Sequence, residues 1–371
     1  MGHGQSPLEN LEITDLNSFR DTFKGRRVLV TGHTGFKGSW LALWLSEMGA
    51  EVTGFSLAPE YDRSHFELLD LGRRIRHIEG DIRDYDALCR TFDEAKPEFV
   101  FHLAAQALVR RSYYNPLGTF STNVLGAANV LEVIRERDDT RVLIFVTSDK
   151  SYQNKEWVWG YRENDALGGD DPYSASKAGA EMAFAAYQHS FFQSRKNFCG
   201  ASVRAGNVIG GGDWAEDRII PDCIRALEAG KPIVLRNPDA TRPWQHVLDP
   251  LNGYLTLAVA MTKNPKKFNG AWNFGPEVAA GLTVRDLGER VAKYWGGGTV
   301  KVDVPKDAPF EHRLLQLNID KTKLELGWGP KWHSERAIKE SIDWYMDVIG
   351  GKSAWDVSCA QIKAFEDGTG D

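Results

Sequence analysis

Cysteine is scarce. The chain has four in 371 residues, Cys89, Cys199, Cys223 and Cys359, with no CxxC and no histidine at zinc-ligand spacing. That is poor material for a disulfide framework or a metal site, so no metal is expected and a reducing compartment is. Long apolar runs are also missing: uncharged stretches such as 250–262 fall short of the roughly 20 residues a membrane helix needs. No charged-then-apolar signal segment opens the chain, and a cytoplasmic protein is expected. Positive charge is not in excess. Lys and Arg total 45 against 51 Asp and Glu, a net charge of −6, which argues against a protein that binds nucleic acid by neutralising phosphates. Internal repeats and low-complexity linkers are absent too, so the parts of the chain are expected to pack closely around a shared cleft.

What is present is an α/β alternation. A β-branched run, Val28-Leu29-Val30, enters a glycine turn and then an apolar helix over 39–48. Further buried-strand candidates lie at 51–55, 76–78, 99–103, 142–147 and 200–204, separated by helical stretches. Over 119–137 the apolar positions Phe120, Val124, Ala127, Val130, Leu131 and Ile134 recur every three or four residues and mark one helix face. Alternation of this kind predicts a Rossmann-like, doubly wound parallel sheet covered on both sides. With 371 residues, about two domains are expected. Residues 1–24 are polar and form an extension, a docked segment, a tail or, over 1–5, a cloning remnant. Residues 25–207, rejoined by about 243–262, form the dinucleotide domain. Residues 208–371, richer in Gly, Pro, Trp and Arg, mainly form a smaller, irregular substrate domain.

The turn Thr31-Gly32-His33-Thr34-Gly35-Phe36-Lys37-Gly38 places glycines at every third position between strand and helix. A dinucleotide needs them for a tight turn, for close backbone approach to the pyrophosphate and for helix packing, with free N–H groups at the helix start. About 20 residues on, where an acid would take the adenosine ribose hydroxyls, the chain has Phe55-Ser56-Leu57 instead. NAD is the preferred cofactor and NADP stays open. Asp81, after the third strand, suits the adenine amino group or a loop cap.

Tyr173 and Lys177 form the only Tyr-x-x-x-Lys among 11 tyrosines. On a helix they share a face, and an ammonium beside a phenol is expected to lower its pKa towards that of a useful base. Upstream, the fifth strand candidate ends at Thr147-Ser148-Asp149-Lys150, a hydroxyl, an acid and an amine where parallel sheets bind ligands.

These residues, with Gly80-Asp81, His102-Leu103-Ala104-Ala105, Asn123 and Arg204 to Val208, resemble the extended short-chain dehydrogenase/reductases over about 24–332. Within that group the chain is similar to the nucleotide-sugar 4,6-dehydratases. Asp149-Lys150, where the enzymes acting on dTDP-glucose carry Asp-Glu, and Gly211-Gly212-Asp213-Trp214 are the pattern of the CDP-glucose branch. The resemblance implies a hydro-lyase of deoxysugar and O-antigen biosynthesis that takes CDP-glucose and keeps NAD. Oxidation at C4, loss of water across C5 and C6, and hydride return to C6 would give the 4-keto-6-deoxy product. Tyr173 would take the 4-hydroxyl proton with Ser148 sharing that bond, Asp149 would protonate the departing C6 hydroxyl, and Lys150 would be the C5 base or stabilise the enolate. Lys177 would serve phenol and nicotinamide ribose. To the cofactor it assigns Gly32, His33, Thr34, Gly35, Phe36, Lys37, Gly38, Ser56, Asp81, Ile82, Leu103, Ala104, Ala105 and Asn123, besides Tyr173 and Lys177.

On the substrate side, Gln106, Arg110, Arg111 and Ser112 follow the fourth strand and are expected to face the hexose, the two arginines as one patch. The resemblance makes Asn207 a diphosphate contact. Arg218 and Arg242 are the arginines expected at the phosphates, and Glu311 and His312 lie where related enzymes close over the nucleotide. Trp214 and Trp244, among 12 tryptophans, fit the core better than a stacking role. A homodimer or dimer of dimers is expected, since helix faces such as 119–137 suit a two-fold interface. Competing readings are a nucleotide-sugar 4-epimerase, which has no use for Asp149 and Lys150, and a non-catalytic nucleotide-binding regulator.

Overall fold

Val28, Leu29 and Val30 are fully or almost fully buried because they sit in the middle of a sheet that is covered on both faces. The computed structural model describes residues 16–277, 282–304 and 314–368. Its main sheet has seven strands. Six are β1 (Arg27–Thr31), β2 (Glu51–Ser56), β3 (Arg76–Glu79), β4 (Phe99–His102), β5 (Val142–Val146) and β6 (Cys199–Ala205). The seventh, Gly270–Phe274, returns beside β6, and the order is Gly270–Phe274, β6, β5, β4, β1, β2, β3, parallel throughout. The chain runs outwards from β1 first through β2 and β3, then on the other side through β4, β5 and β6. The crevice beyond the carboxyl ends of β1 and β4 is therefore the switch point where such sheets bind ligands.

One face packs Val28, Val30, Phe101 and Ile144 against Trp40 and Trp44 of the Phe36–Glu47 helix and Leu251 and Leu255 of the Leu248–Lys263 helix. The other packs Leu29, Val100 and Leu143 against Val130, Leu131 and Ile134. Each such side chain contributes about 1.5–3 kcal/mol by leaving water.

The single helix expected over 119–137 is a run of three pieces, Pro116–Phe120, a wide turn at Ser121–Gly126, and Ala127–Arg135. The wide turn inserts extra chain per revolution and rotates the buried face. Val130, Leu131 and Ile134 are buried as their spacing predicts, whereas Phe120 is exposed and Asn123 and Gly126 take the inside.

Part of the N-terminal extension is docked. Helix Leu16–Phe23 buries Phe19 and Phe23, and the Phe23 ring meets that of Phe99 at 5.1 Å between centroids. After β6 the strands outside the main sheet are only two or three residues long, as in the small parallel pair of Ile233–Leu235 with Val300–Val302, and they stand among helices Ile219–Glu228, Val284–Tyr294 and Ser334–Ile349. This region is stitched to the sheet, since Trp40 donates to the Gly211 carbonyl (2.9 Å) and Trp44 to Glu366 (2.8 Å). Among the described residues no helix is long and apolar enough to cross a membrane. All four cysteines are unpaired.

Candidate active site

The glycine turn is built for close approach. Gly32 has φ +78°, and a Cβ there would lie 2.7 Å from the Ala104 amide nitrogen; one on Gly38 would lie 2.1 Å from the Gly32 carbonyl oxygen. The helix Phe36–Glu47 starts at Gly35 with no side-chain cap, so its first N–H groups stay open to an anion. A bare cradle and an uncapped helix start at the switch point fit the pyrophosphate of a dinucleotide.

The other residues expected at the cofactor are placed as follows. Thr34 and Ser56 meet at 2.8 Å, and Thr34 also donates to the Leu57 carbonyl (2.9 Å). Leu103 and Ala104 are held to β1, the Leu103 amide on the Thr31 carbonyl (3.0 Å) and the Ala104 amide on the Thr31 hydroxyl (3.3 Å), and Ala105 follows. Ile82 is buried. His33 is turned inwards: its Nε2 pairs with His77 Nδ1 at 2.7 Å, and burial, then His77, push its pKa down to about 3. Asp81 caps its own turn, accepting from the Arg83 amide (2.8 Å) and guanidinium (2.9 Å). Those bonds hold its carboxyl below the usual range. Asn123 spends its amide on the loop after β4, accepting from the Gln106 amide (2.8 Å) and donating to the Gln106 carbonyl (3.0 Å) and Ser176 (2.9 Å).

At the end of β5, Ser148 caps a short turn over Asp149–Ser151, accepting from the Lys150 amide (3.2 Å) and donating to Asp149 Oδ1 (3.0 Å). Asp149 is buried, and burial raises its pKa against the pull of Lys150, Ser148 and Arg242. Helix Pro172–Tyr187 begins where Asp171 accepts from the Ser174 amide (2.9 Å) and Pro172 needs no acceptor. It sends Tyr173 and Lys177, both buried, to the same place. The expected lowering of the phenol is overturned: burial raises the Tyr173 pKa, and the groups opposing that rise are Ser148 and Arg218, not Lys177. Lys177 itself is lowered to about 8 by burial, with Glu181 holding it up.

Lys37 reaches further than a phosphate-turn lysine need. Burial, Arg218 and Lys177 bring it down to about 7, and Asp149 pulls the other way, so its ammonium stands among the catalytic candidates. A narrow cleft opens beside Asp149, lined also by Gly206, Pro243, Gly275, Pro276, Gln316 and Leu317.

Of the substrate-side candidates, Arg242 and Arg218 act on Asp149 and Tyr173, as placement near the reacting groups requires. Asn207 follows β6 at the mouth of the sheet, where its carbonyl accepts from the Gln245 amide (3.2 Å). Arg110 and Arg111 are each engaged by a carboxylate, from segments that meet where the Glu216 amide donates to Tyr61 Oη (3.4 Å). Arg110 pairs with Asp217 (3.3 Å) and Arg111 with Glu60, partners far apart in sequence. Gln106 and Ser112 are committed to the wall rather than turned to a hexose: Gln106 bonds Thr119 (3.0 Å) and the Leu108 amide (2.6 Å), and the buried Ser112 hydroxyl donates to the Val109 carbonyl (2.6 Å). Glu311 and His312 lie outside the described residues. Trp214 and Trp244 are buried, Trp214 beneath the Arg63 guanidinium at 3.9 Å.

A sequence profile described as GDP-mannose 4,6 dehydratase matches residues 29–341, most of the chain. The chain belongs to that family. Within it, this member is 43% identical over 354 residues to the CDP-glucose 4,6-dehydratase of Salmonella typhimurium, covering 94% of this chain and 99% of that protein. Among solved structures, a dTDP-glucose 4,6-dehydratase from Streptomyces venezuelae with NAD and TYD bound superposes with a TM-score of 0.74 at 22% identity. It covers 89% of this chain and 99% of its own. A UDP-glucose 4-epimerase from Thermotoga maritima with UDP-glucose also gives 0.74, at 24% identity over 87% of this chain and 99% of its own. At those identities the two structures speak for the fold.

Two features escape a reading of the sequence alone. Lys37 was legible as a turn residue, but its approach to Asp149 depends on how the helix start faces the end of β5. Glu181 lies one turn beyond Lys177 and is the only other charged residue in that helix, a signal open to the same spacing argument.

Proposed function

We propose that the chain is an NAD-dependent hydro-lyase that converts CDP-glucose to CDP-4-keto-6-deoxyglucose. The observation that carries this reading is Asp149, a buried carboxyl biased towards its protonated form, hydrogen-bonded to Ser148 beside Tyr173. The CDP-glucose specificity rests on the 43% identical relative.

When bound, NAD supplies a reversible hydride acceptor. The chain's own residues do the rest. The turn 32–38 and the uncapped helix start take the pyrophosphate, and Lys177 holds the nicotinamide ribose. Tyr173 Oη takes the proton of the sugar 4-hydroxyl, with Ser148 Oγ sharing that bond. A 4-ketone makes the C5 proton acidic, and Lys150, whose charge is felt at Asp149, serves that step. Asp149 donates its proton to the departing C6 hydroxyl, for which a raised carboxyl pKa is the right bias. Arg218, Arg242 and Asn207 take the diphosphate. An epimerase has no step for the buried acid Asp149, and a regulator no need for a buried Tyr173 and Lys177.

In domain terms, 25–207 with the returning helix and strand would hold the cofactor and the rest mainly the sugar nucleotide. Four unpaired cysteines support work in the cytoplasm. Leu117, Leu125 and Met182, 82%, 64% and 56% exposed on neighbouring helices, support a face for a second copy; a monomeric mass in sedimentation would refute it. For the activity itself, the purified protein given CDP-glucose and no added reductant should release a chromogenic 4-keto sugar nucleotide. No conversion, or conversion that requires a reductant, would overturn the assignment.

A further inference from the structure

Glu181 has no step in the reaction, yet it is 3% exposed in side chain and so is its partner Arg204. Its carboxylate is fully used. Oε1 accepts from Arg204 Nε (2.8 Å) and from the Thr147 hydroxyl; Oε2 accepts from Arg204 Nη2 (2.9 Å) and the Ser202 hydroxyl (2.8 Å). Those bonds come from two strands. Thr147 immediately precedes Ser148 and Asp149 at the end of β5, and Ser202 and Arg204 lie on β6.

We propose that Glu181 is a positioning residue for the reaction, locking the helix that carries Tyr173 and Lys177 in register with the strand end that carries Ser148 and Asp149. The proposal rests on the reading above, in which those four groups act together.

Packing alone does not require this arrangement. A buried ion pair can often be replaced by apolar side chains of similar volume with no loss of stability, so its use here points to registry. The carboxylate fixes distance and angle through four directed bonds, one to Thr147 at the end of β5 and three to β6, where an apolar contact would fix only volume. The lock also extends to the substrate side. Arg204 Nη1 donates to Tyr152 Oη (2.6 Å), Tyr152 donates to Asn273 Oδ1 (2.8 Å), and Asn273 Nδ2 donates to the Tyr161 carbonyl (2.8 Å). The Tyr161 amide in turn holds the carbonyl of Gln316, a wall of the cleft (2.8 Å).

Glu181 has a second, electrostatic effect. The titratable groups that face Lys177 are Glu181 from its own helix, Lys37 from the Phe36–Glu47 helix, and His102 at the end of β4, which burial and Lys177 keep neutral. Glu181 is the one anion among them, and it holds the lysine's pKa up.

The test uses three variants of the full chain. Glu181→Leu with Arg204→Met removes both charges together, Glu181→Gln removes one, and Thr147→Val cuts only the bond to β5. The double variant should melt close to wild type but turn CDP-glucose over on the order of 10²-fold more slowly, with KM little changed, because reacting groups are misplaced rather than lost. NADH binding, read by fluorescence against pH, should weaken at a lower pH in both charge variants, since Lys177 loses its ammonium earlier without the anion. Thr147→Val should lower kcat while leaving that limb in place. A stable double variant with wild-type kcat and an unmoved limb would reduce Glu181 to packing. If the charge variants do not fold, wild-type kcat in Thr147→Val would overturn the proposal and a lowered kcat would support it. Wild-type protein inert towards CDP-glucose would instead sink the dehydratase reading, and the NADH limb would still decide Glu181.

Discussion

Tyr173→Phe should slow turnover of CDP-glucose by about 10² to 10⁴-fold, the usual cost of removing a general base. The ring keeps its buried place, so folding and NAD affinity should change little. What disappears is the Oη atom that Ser148 and Arg218 stabilise as phenolate against the effect of burial. Because the folded phenol lies above its ordinary value, the active base form grows as pH rises. The wild-type rate should therefore climb with pH on its acid side, and the Phe variant should lose that dependence. Steady-state rates over a pH series check both points. Turnover at the wild-type level would remove Tyr173 from the mechanism.

A second large effect is expected at the end of β5. Asp149→Asn with Lys150→Met leaves Tyr173, Ser148 and Lys177 in place, so oxidation at C4 remains available while loss of the C6 hydroxyl is blocked. Mixing this variant with CDP-glucose should trap reduced cofactor on the protein, visible as near-ultraviolet absorbance, with little 6-deoxy product. Asn keeps the shape that faces Gly206, near which Asp149 Oδ2 sits, so the local fold should hold. Full dehydratase turnover in the double variant would show that neither residue serves the elimination.

The parts of the molecule that were legible in the sequence are those set by local backbone needs. The glycines of 32–38, the strand ends and the i, i+4 pair of Tyr173 and Lys177 each follow from a turn, a sheet or a helical period. What was not legible depends on partners brought from a distance. Arg110 and Arg111 look like a bare cationic patch until Asp217 and Glu60 are seen to pair with them. Gln106 and Asn123 look like ligand contacts until they are seen to bond each other across a loop and a wide helical turn. That same turn, invisible to a regular period, put Phe120 outside and Asn123 inside. The pKa of Tyr173 went the other way for a related reason: spacing brings Lys177 to the same helix face, but burial outweighs a neighbour that is itself desolvated to about 8.

The central claim is that this active site eliminates water across C5 and C6 rather than inverting C4. Running the wild-type protein with CDP-glucose in heavy water and examining the product by NMR tests it most directly. Elimination requires C5 to lose its proton and regain one from solvent, so the account predicts a 6-deoxy-4-keto product carrying one deuterium at C5. A product that keeps its C6 hydroxyl and its original C5 proton would contradict the account and establish an epimerase in its place.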